Sequence, residues 1–314
     1  MTEPKTTWYF IVNPRAGSGK TMSEWVPAER MLQNLGIPFI TAMTDHKRHA
    51  TELAQEAAAG GYRRIVAVGG DGSLHETLNG IARFCEDTGT DTAEFYLGVM
   101  PIGSGNDWIK SLDVPHDLEK VIKLIETGSF DQMDVVKVAA SGGKTAWMAN
   151  CGGTGFDSHV CERVNHQKER GMRGKLIYLN ALRHTMSHLA RLNLKVIADG
   201  QTVHEGICYS IAIGNGPYSG SGMRQVPLAD INDGIIDYMV VPEVKLSTML
   251  KEVPRLFNGT LNESGVVISG RCKSLQIVPL DSTSEDIVEL DGEIEGKLPL
   301  SIEMDGRKIN VIKG

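Results

Sequence analysis

The sequence predicts an α/β domain with a parallel sheet joined to an all-β sandwich, and three observations carry that expectation. The first eighty residues alternate apolar, β-rich runs with helical patterns, the signature of a parallel sheet with helices on both faces. From residue 135 onward short alternating runs dominate and helical patterns become few, which suits an antiparallel sandwich or barrel. Three of the early apolar runs also end in glycine-rich turns, and ligands of parallel sheets bind beyond the carboxyl ends of the strands.

In chain order, residues 8–12 form the first apolar run, and the turn Asn13-Pro14-Arg15-Ala16-Gly17-Ser18-Gly19-Lys20-Thr21 follows at once. It is not a Walker A loop, because Pro14 stands where that motif needs glycine. Nor is it a dinucleotide fingerprint, since the third glycine position is Met22. Residues 23–35 read as a helix closed by Gly36, residues 38–41 as a short strand, and residues 51–59 as a helix stopped by Gly60-Gly61.

Residues 65–68 then read as a buried strand, followed by Gly69-Gly70-Asp71-Gly72-Ser73 and an amphipathic run over 74–84. Three glycines in four positions cost backbone entropy, and the usual reason is close approach of a bulky group to bare N–H groups. At a helix start those N–H groups carry the positive end of the dipole and suit a phosphate. A carboxylate among them, Asp71, would repel a bare phosphate, so a metal-nucleotide site is more natural than a simple anion site. An N-cap role for Asp71 in an ordinary turn is the other reading, and the residues alone leave both open. Residues 95–100 give a further strand, and Pro101-Ile102-Gly103-Ser104-Gly105-Asn106-Asp107 is the third turn of the kind. After a helix over 118–126, short strands are expected at 135–138, 145–149, 194–197, 207–213, 235–241, 275–278 and 287–290.

The chain of 314 residues is long enough for one large or two ordinary domains, and its 41% hydrophobic and 23% charged content is that of a globular protein. A formal net charge of −7 argues against a general grip on nucleic acid. Cys85, Cys151, Cys161, Cys208 and Cys272 are scattered and contain no CxxC pair, so they are read as reduced and mostly structural. With no signal-peptide core and no apolar stretch of membrane length, the expectation is a cytoplasmic protein without a transmembrane segment, held at most peripherally at the inner face of the membrane. Residues 163–195 carry eight Lys and Arg around an amphipathic run at 176–189, which reads either as a membrane-surface segment or as a packed helix with a solvated basic face.

Together Gly69-Gly-Asp-Gly-Ser-x-x-Glu76-x-x-Asn79-Gly80, Asn13-Pro-x-Ala-Gly17 and Pro101-x-Gly-Ser-x-Asn-Asp107 resemble the catalytic domain shared by diacylglycerol kinases and sphingosine kinases, the soluble bacterial lipid kinases above all. The resemblance covers essentially the whole chain. It implies an ATP-binding, NAD-kinase-like α/β domain over 1–134 with a carboxyl-terminal return at 296–314, and a β-sandwich acceptor domain over 135–295. It also implies transfer of the γ-phosphate of ATP, with Mg²⁺, to the hydroxyl of a lipid such as diacylglycerol, taken at the membrane surface between the domains. Asn13, Pro14, Arg15, Ala16, Gly17, Thr44, Gly69, Gly70, Asp71, Gly72, Ser73, Leu74, His75 and Ser104 would line the ATP site, with Asp71 and Asp107 near phosphates and metal. Asp134 resembles a third acid of that metal network, and Glu293 of Asp291-Gly292-Glu293 resembles the general base. Asp230, Asp233 and the Ile235 carbonyl resemble a structural Mg²⁺ site, for which a turn capped by aspartates is the alternative.

Ser73 and Ser104 stand where threonine is usual and keep the hydroxyl. His75 reads as a loop residue near the nucleotide, more structural than catalytic. Rival readings are an NAD kinase-like phosphotransferase and a catalytically silent lipid-binding regulator on the same scaffold. The residues leave the lipid and the oligomeric state open, and a homodimer is compatible with them.

Overall fold

The computed structural model describes residues 5–103, 105–170, 172, 176–187, 189–220 and 222–314. It divides into two compact units, Met1–Val135 with Gly306–Gly314, and Val136–Asp305. The first is an α/β unit and the second an antiparallel β-sandwich.

In the α/β unit, strands β1 (Lys5–Val12), β2 (Phe39–Met43), β3 (Tyr62–Gly69) and β4 (Tyr96–Pro101) run parallel. The helices α1 (Ala16–Gly19), α2 (Thr21–Asn34), α3 (His49–Ala59), α4 (Asp71–Thr88) and α5 (Leu118–Thr127) lie between strands in the sequence. Strand β5 (Phe130–Asp134) runs the other way. Both faces of the sheet are covered, so β3 reads as the near-continuous apolar run Ile65, Val66, Ala67, Val68, each fully buried. Helices α4 and α5 end at Gly89 and Gly128, both in the left-handed conformation that glycine adopts without a Cβ penalty.

The second unit contains β6 (Val136–Ala140), β7 (Lys144–Met148), β8 (Cys151–Gly155), α6 (Phe156–Glu169), α7 (Leu176–Ser187), β9 (Leu192–Ala198) and β10 (Gln201–Gly214). There follow β11 (Tyr218–Ser219), β12 (Met223–Arg224), β13 (Ile236–Pro242), α8 (Leu246–Asn258), β14 (Ile268–Cys272), β15 (Ser274–Pro279), β16 (Ile287–Leu290), β17 (Glu293–Lys297) and β18 (Leu300–Glu303). Among the described residues, eleven of these strands form one continuous antiparallel sheet. Its inward residues, among them Val138, Leu194, Val196, Ile211, Ile213, Ile277, Val288 and Ile302, make one buried cluster, and alternation along β9 shows why: every second residue is buried.

The return to the α/β unit is shorter than the 296–314 expected. Strand β18 pairs with β15 and β6 and so still belongs to the sandwich; only β19 (Lys308–Ile312) enters the first sheet, between β4 and β5. The alternating pattern of residues 300–312 does not tell which of two sheets a strand will join. Helices α6 and α8 were not expected. Helix α7 covers most of the run at 176–189, and it buries Ile177, Ala181 and Thr185, four residues apart, so one face is packed. Part of the basic segment around it, residues 171, 173–175 and 188, lies outside the described residues.

Candidate functional site

The three glycine-rich turns meet at the carboxyl edge of the parallel sheet. Register aligns Gly69 with Pro101, and Val12 with Val68 and Met43, so the turns after β1, β3 and β4 and the loop after β2 leave the sheet at one level. A methyl group placed on Gly17 would come within 2.9 Å of the Ile102 side chain, and one on Gly103 within 2.9 Å of the Gly70 Cα. The first turn therefore rests on the third, and the third on the second. Asn13 adds a side-chain link, its Nδ2 donating to Ser73 Oγ at 3.2 Å, while its Oδ1 accepts from the Arg15 N–H at 3.0 Å. The Thr44 N–H donates to the Val12 carbonyl at 2.9 Å, so Thr44 sits beside the start of the first turn.

Asp71 is not the N-cap of α4. Gly70 holds that position, extended and without a side-chain acceptor, and Asp71 is the first residue of the helix. Its carboxylate reaches across to the third turn: Oδ2 accepts from the Asp107 N–H at 3.1 Å and Oδ1 from the Trp108 N–H at 3.2 Å. Asp71 thus ties the second turn to the third. The opening amides of an α-helix have no intrahelical partner, and a glycine N-cap supplies no oxygen to them, so an anion is the natural acceptor there. Asp107 is nearly buried, and Lys110 lies 2.5 Å from its Oδ1. Asn106 holds the turn from within, donating to the Pro101 and Gly103 carbonyls, while its buried Oδ1 has no hydrogen-bond partner among the described residues.

Some expected residues are elsewhere. His75 is a helical residue, 2% exposed, with Nε2 against Asn79 Nδ2 at 3.3 Å; the loop position expected for it is corrected. It falls on the same face of α4 as Leu78 and Asn79, which the i, i+3, i+4 spacing could have revealed. Leu74 is buried too, and its N–H is spent on the Gly70 carbonyl. Ser104 lies outside the described residues. Asp134, expected in a metal network with Asp71 and Asp107, ends an antiparallel strand and sits opposite Lys308, whose Nζ is 2.8 Å from its Oδ1. That register sets it level with the start of β4, not with the turn that follows β4.

Two arrangements here were not foreseen. Glu76 in the second turn of α4 accepts from the Arg48 and Ala50 N–H groups, both at 3.2 Å, and so caps α3. Just beyond Thr44, Asp45 takes His49 Nδ1 at 2.9 Å and a shorter bond from His46, and the two imidazoles stack at 4.3 Å. Hydrogen bonding to His46 pulls the Asp45 carboxyl below its ordinary range, and Asp45 then Glu52 push His46 up. These three side chains could take a cation, but their own hydrogen bonds already close the cluster.

In the sandwich unit, Asp291 of Asp-Gly-Glu is buried and left-handed at φ 52°. Its carboxylate accepts from the N–H groups of Ala149, Asn150 and Cys151 at 2.9, 2.8 and 3.2 Å, and its own N–H donates to the Cys151 carbonyl at 2.7 Å. The Gly292 carbonyl accepts from Asn165 Nδ2 at 2.9 Å and Cys161 Sγ at 3.0 Å, and its N–H donates to Glu289. Glu293 is the half-buried residue this fixed turn presents at the head of β17.

The residues expected to hold a structural magnesium, Asp230, Asp233 and Ile235, are tied within the protein. Asp230 and Asp233 each accept from the backbone two residues on, and Arg271 binds both Asp233 and the nearly buried Asp237. The guanidinium sets a positive charge beside Asp233 and Asp237, in a turn capped by aspartates. Burial pushes the Asp237 carboxyl up, and Arg271 pulls it back.

An α/β unit with a glycine cradle and a sandwich unit with a clamped acidic turn define a phosphotransferase-type scaffold. The sequence family described as the diacylglycerol kinase catalytic domain matches residues 7–138, and that described as the YegS C-terminal NAD kinase beta sandwich-like domain matches residues 151–313. The chain belongs to this diacylglycerol kinase and YegS-like family. It is 25% identical to a protein named diacylglycerol kinase from Mycobacterium tuberculosis over 304 residues, 96% of this chain and 94% of that one. A crystal structure of a diacylglycerol kinase from Bacillus anthracis shares the fold, with a TM-score of 0.75 at 24% identity over 98% of this chain and 97% of the other.

Proposed function

We propose that this protein is a lipid kinase that transfers the γ-phosphate of ATP to the hydroxyl of a lipid such as diacylglycerol. The observation that carries the reading is the tie between turns: one carboxylate, Asp71, holds the amides of the third turn against the glycine cradle of the second, in a chain of this family. The turns after β1 and β3 and the start of α4 would take the phosphates of ATP, with N–H groups set to offset charge on the transferred group. Asp71 and Asp107 would hold the Mg²⁺ that accompanies ATP and screens its phosphates; a carboxylate oxygen accepts more than one partner, so the amide bonds to Asp71 do not forbid this. Glu293 would accept the proton of the lipid hydroxyl as its oxygen bonds to the γ-phosphorus and the bond from that phosphorus to the bridging oxygen of ADP breaks.

An apolar cavity in the sandwich unit supports a lipid acceptor. Met239, Val241, Met249, Val253, Leu256 and Val267 line it, with Asp157, Ser210, Gln225 and Glu252 as its polar groups. Ser210 Oγ donates to Asp157 at 2.7 Å, and desolvation holds the Asp157 carboxyl above its ordinary range. Few polar groups in an apolar cavity is the usual make-up of a lipid or drug-sized site.

The test is transfer of labelled γ-phosphate from Mg-ATP to organic-extractable product, using the purified chain and a panel of neutral lipids in mixed micelles, with NAD as a further acceptor. Glu293→Gln should lower turnover about 10²–10⁴-fold, and Asp71→Asn about 10²–10³-fold. Near-normal turnover in Glu293→Gln would remove the base assignment, and label in NAD alone would remove the lipid.

A further inference from the structure

We propose that the outer face of α8 is a docking surface for an anionic lipid bilayer. The apolar face of this helix is wider than the cavity needs. Met249, Val253 and Leu256 face the cavity described above. Leu250, Pro254 and Phe257, spaced i, i+4, i+7, continue that face beside them and are turned to solvent, with Leu250 50% and Phe257 62% exposed. Single exposed apolar residues are commonplace, but a row of three on one helical face is not.

Charge selects the occupant. Lys245 and Lys251, at the start of the helix and beside the stripe, are exposed and form no ion pair among the described residues. Nearby, Glu243 pairs with Arg191 at 2.7 Å, and Glu252 and Glu263 share Arg255 at 3.0 and 3.9 Å, so the four cations Lys245, Lys251, Arg191 and Arg255 exceed the three acids by one. An apolar row flanked by unmatched lysines is the make-up of a helix that lies in the interface of an anionic membrane. The bilayer is favoured over a protein partner because the same helix roofs the apolar cavity. That last point rests on the lipid-kinase reading, in which an acyl chain would pass from the bilayer beside α8 into the cavity beneath it.

The experiment is co-sedimentation of the full chain with sucrose-loaded vesicles, either pure phosphatidylcholine or phosphatidylcholine with phosphatidylglycerol, read without ATP. Leu250→Ser with Phe257→Ser should weaken binding to the mixed vesicles about 10- to 30-fold, as expected for two half-exposed side chains leaving the interface. Lys245→Gln with Lys251→Gln should weaken it about 25-fold on mixed vesicles, roughly fivefold per charge, and leave pure phosphatidylcholine unaffected. Far-ultraviolet circular dichroism checks that both variants fold, and both should keep wild-type turnover on a short-chain diacylglycerol below its micellar concentration. Wild-type protein that ignores both vesicle types, or variants that bind as wild type does, would overturn the proposal. So would a wild-type dimer that the Leu250 and Phe257 changes dissolve, because the stripe would then join two copies. Vesicle binding is read apart from catalysis: a chain that binds through this stripe but phosphorylates no lipid leaves docking intact and removes the kinase reading.

Discussion

Two aspartates, Asp71 in the α/β unit and Asp291 in the sandwich unit, do similar local work to different ends. Each accepts backbone amides from a distant turn and so fastens two segments together. At Asp71 the fastening leaves the amides opening α4, set among glycines, without a side-chain acceptor from the N-cap. At Asp291 the fastening uses the donors up: three amides go to the carboxylate, and the Gly292 carbonyl is taken by Asn165 and Cys161. The first arrangement suits binding an anion, and the second suits holding one side chain, Glu293, in place.

The sharpest way to break this comparison is Asp291→Ala. Three amides would lose their acceptor in a buried turn, so urea denaturation should show a loss of about 3–5 kcal/mol. A loss under 1 kcal/mol would mean that the turn is not held as described. A neighbouring pair of glycines sharpens the other side. A Cβ on Gly69 would fall 2.3 Å from Ser73 Oγ and 2.8 Å from its Cβ, so Gly69→Ala should cost about 1–3 kcal/mol of stability. Among the described residues a Cβ on Gly70 meets nothing closer than Asn106 Oδ1 at 3.5 Å, and its backbone is one that alanine can adopt. Gly70→Ala should keep stability within about 0.5 kcal/mol while weakening ATP binding about tenfold or more, as calorimetric titration would read. Equal ATP affinity in Gly70→Ala and wild type would mean the second turn is not a phosphate cradle.

The smallest expected effect concerns what supports the acidic turn. Helix α6, which supplies Asn165 and Cys161 to Gly292, also carries His159, whose Nε2 lies 2.9 Å from Asp286 just before β16. The hydrogen bond to Asp286 pushes the imidazole above its ordinary value against desolvation, with Asp286 and Glu162 adding and Arg163 opposing. A raised pKa in the folded state means the stabilisation is full below about pH 6.5 and fades as pH rises through the folded value. His159→Gln should therefore melt about 1–2 °C below wild type at pH 6 and level with it at pH 9. A gap that widened with pH would reverse the assignment.

The parts legible in the sequence were those set by local chemistry. Glycines after apolar runs announced the three turns, and period-2 alternation announced the strands of the sandwich. What was missed depends on partners far along the chain. The tie from Arg271 to Asp233, thirty-eight residues back, follows the pairing of β13 with β14, which no local pattern reveals. Asp134 was placed in the phosphate network by resemblance, and nothing near it in the sequence reveals that β5 runs antiparallel to β19, which carries its partner Lys308. Helix α8 was hidden by Pro254 in its interior, although the spacing of Met249, Leu250, Val253, Leu256 and Phe257 is helical.

The insertion of β19 between β4 and β5 has a consequence for synthesis. Domains generally fold as they leave the ribosome, amino end first. Here the first sheet lacks an interior strand until residues 308–312 are made, after the whole sandwich. Until then β4 has an open edge, and β5 has no neighbour in the sheet. The nascent cradle thus waits, with strand edges that other chains could pair with, for some 170 residues of translation. Chaperone dependence during expression should follow the length of that wait, and a circular permutant that begins at β19 should shorten it.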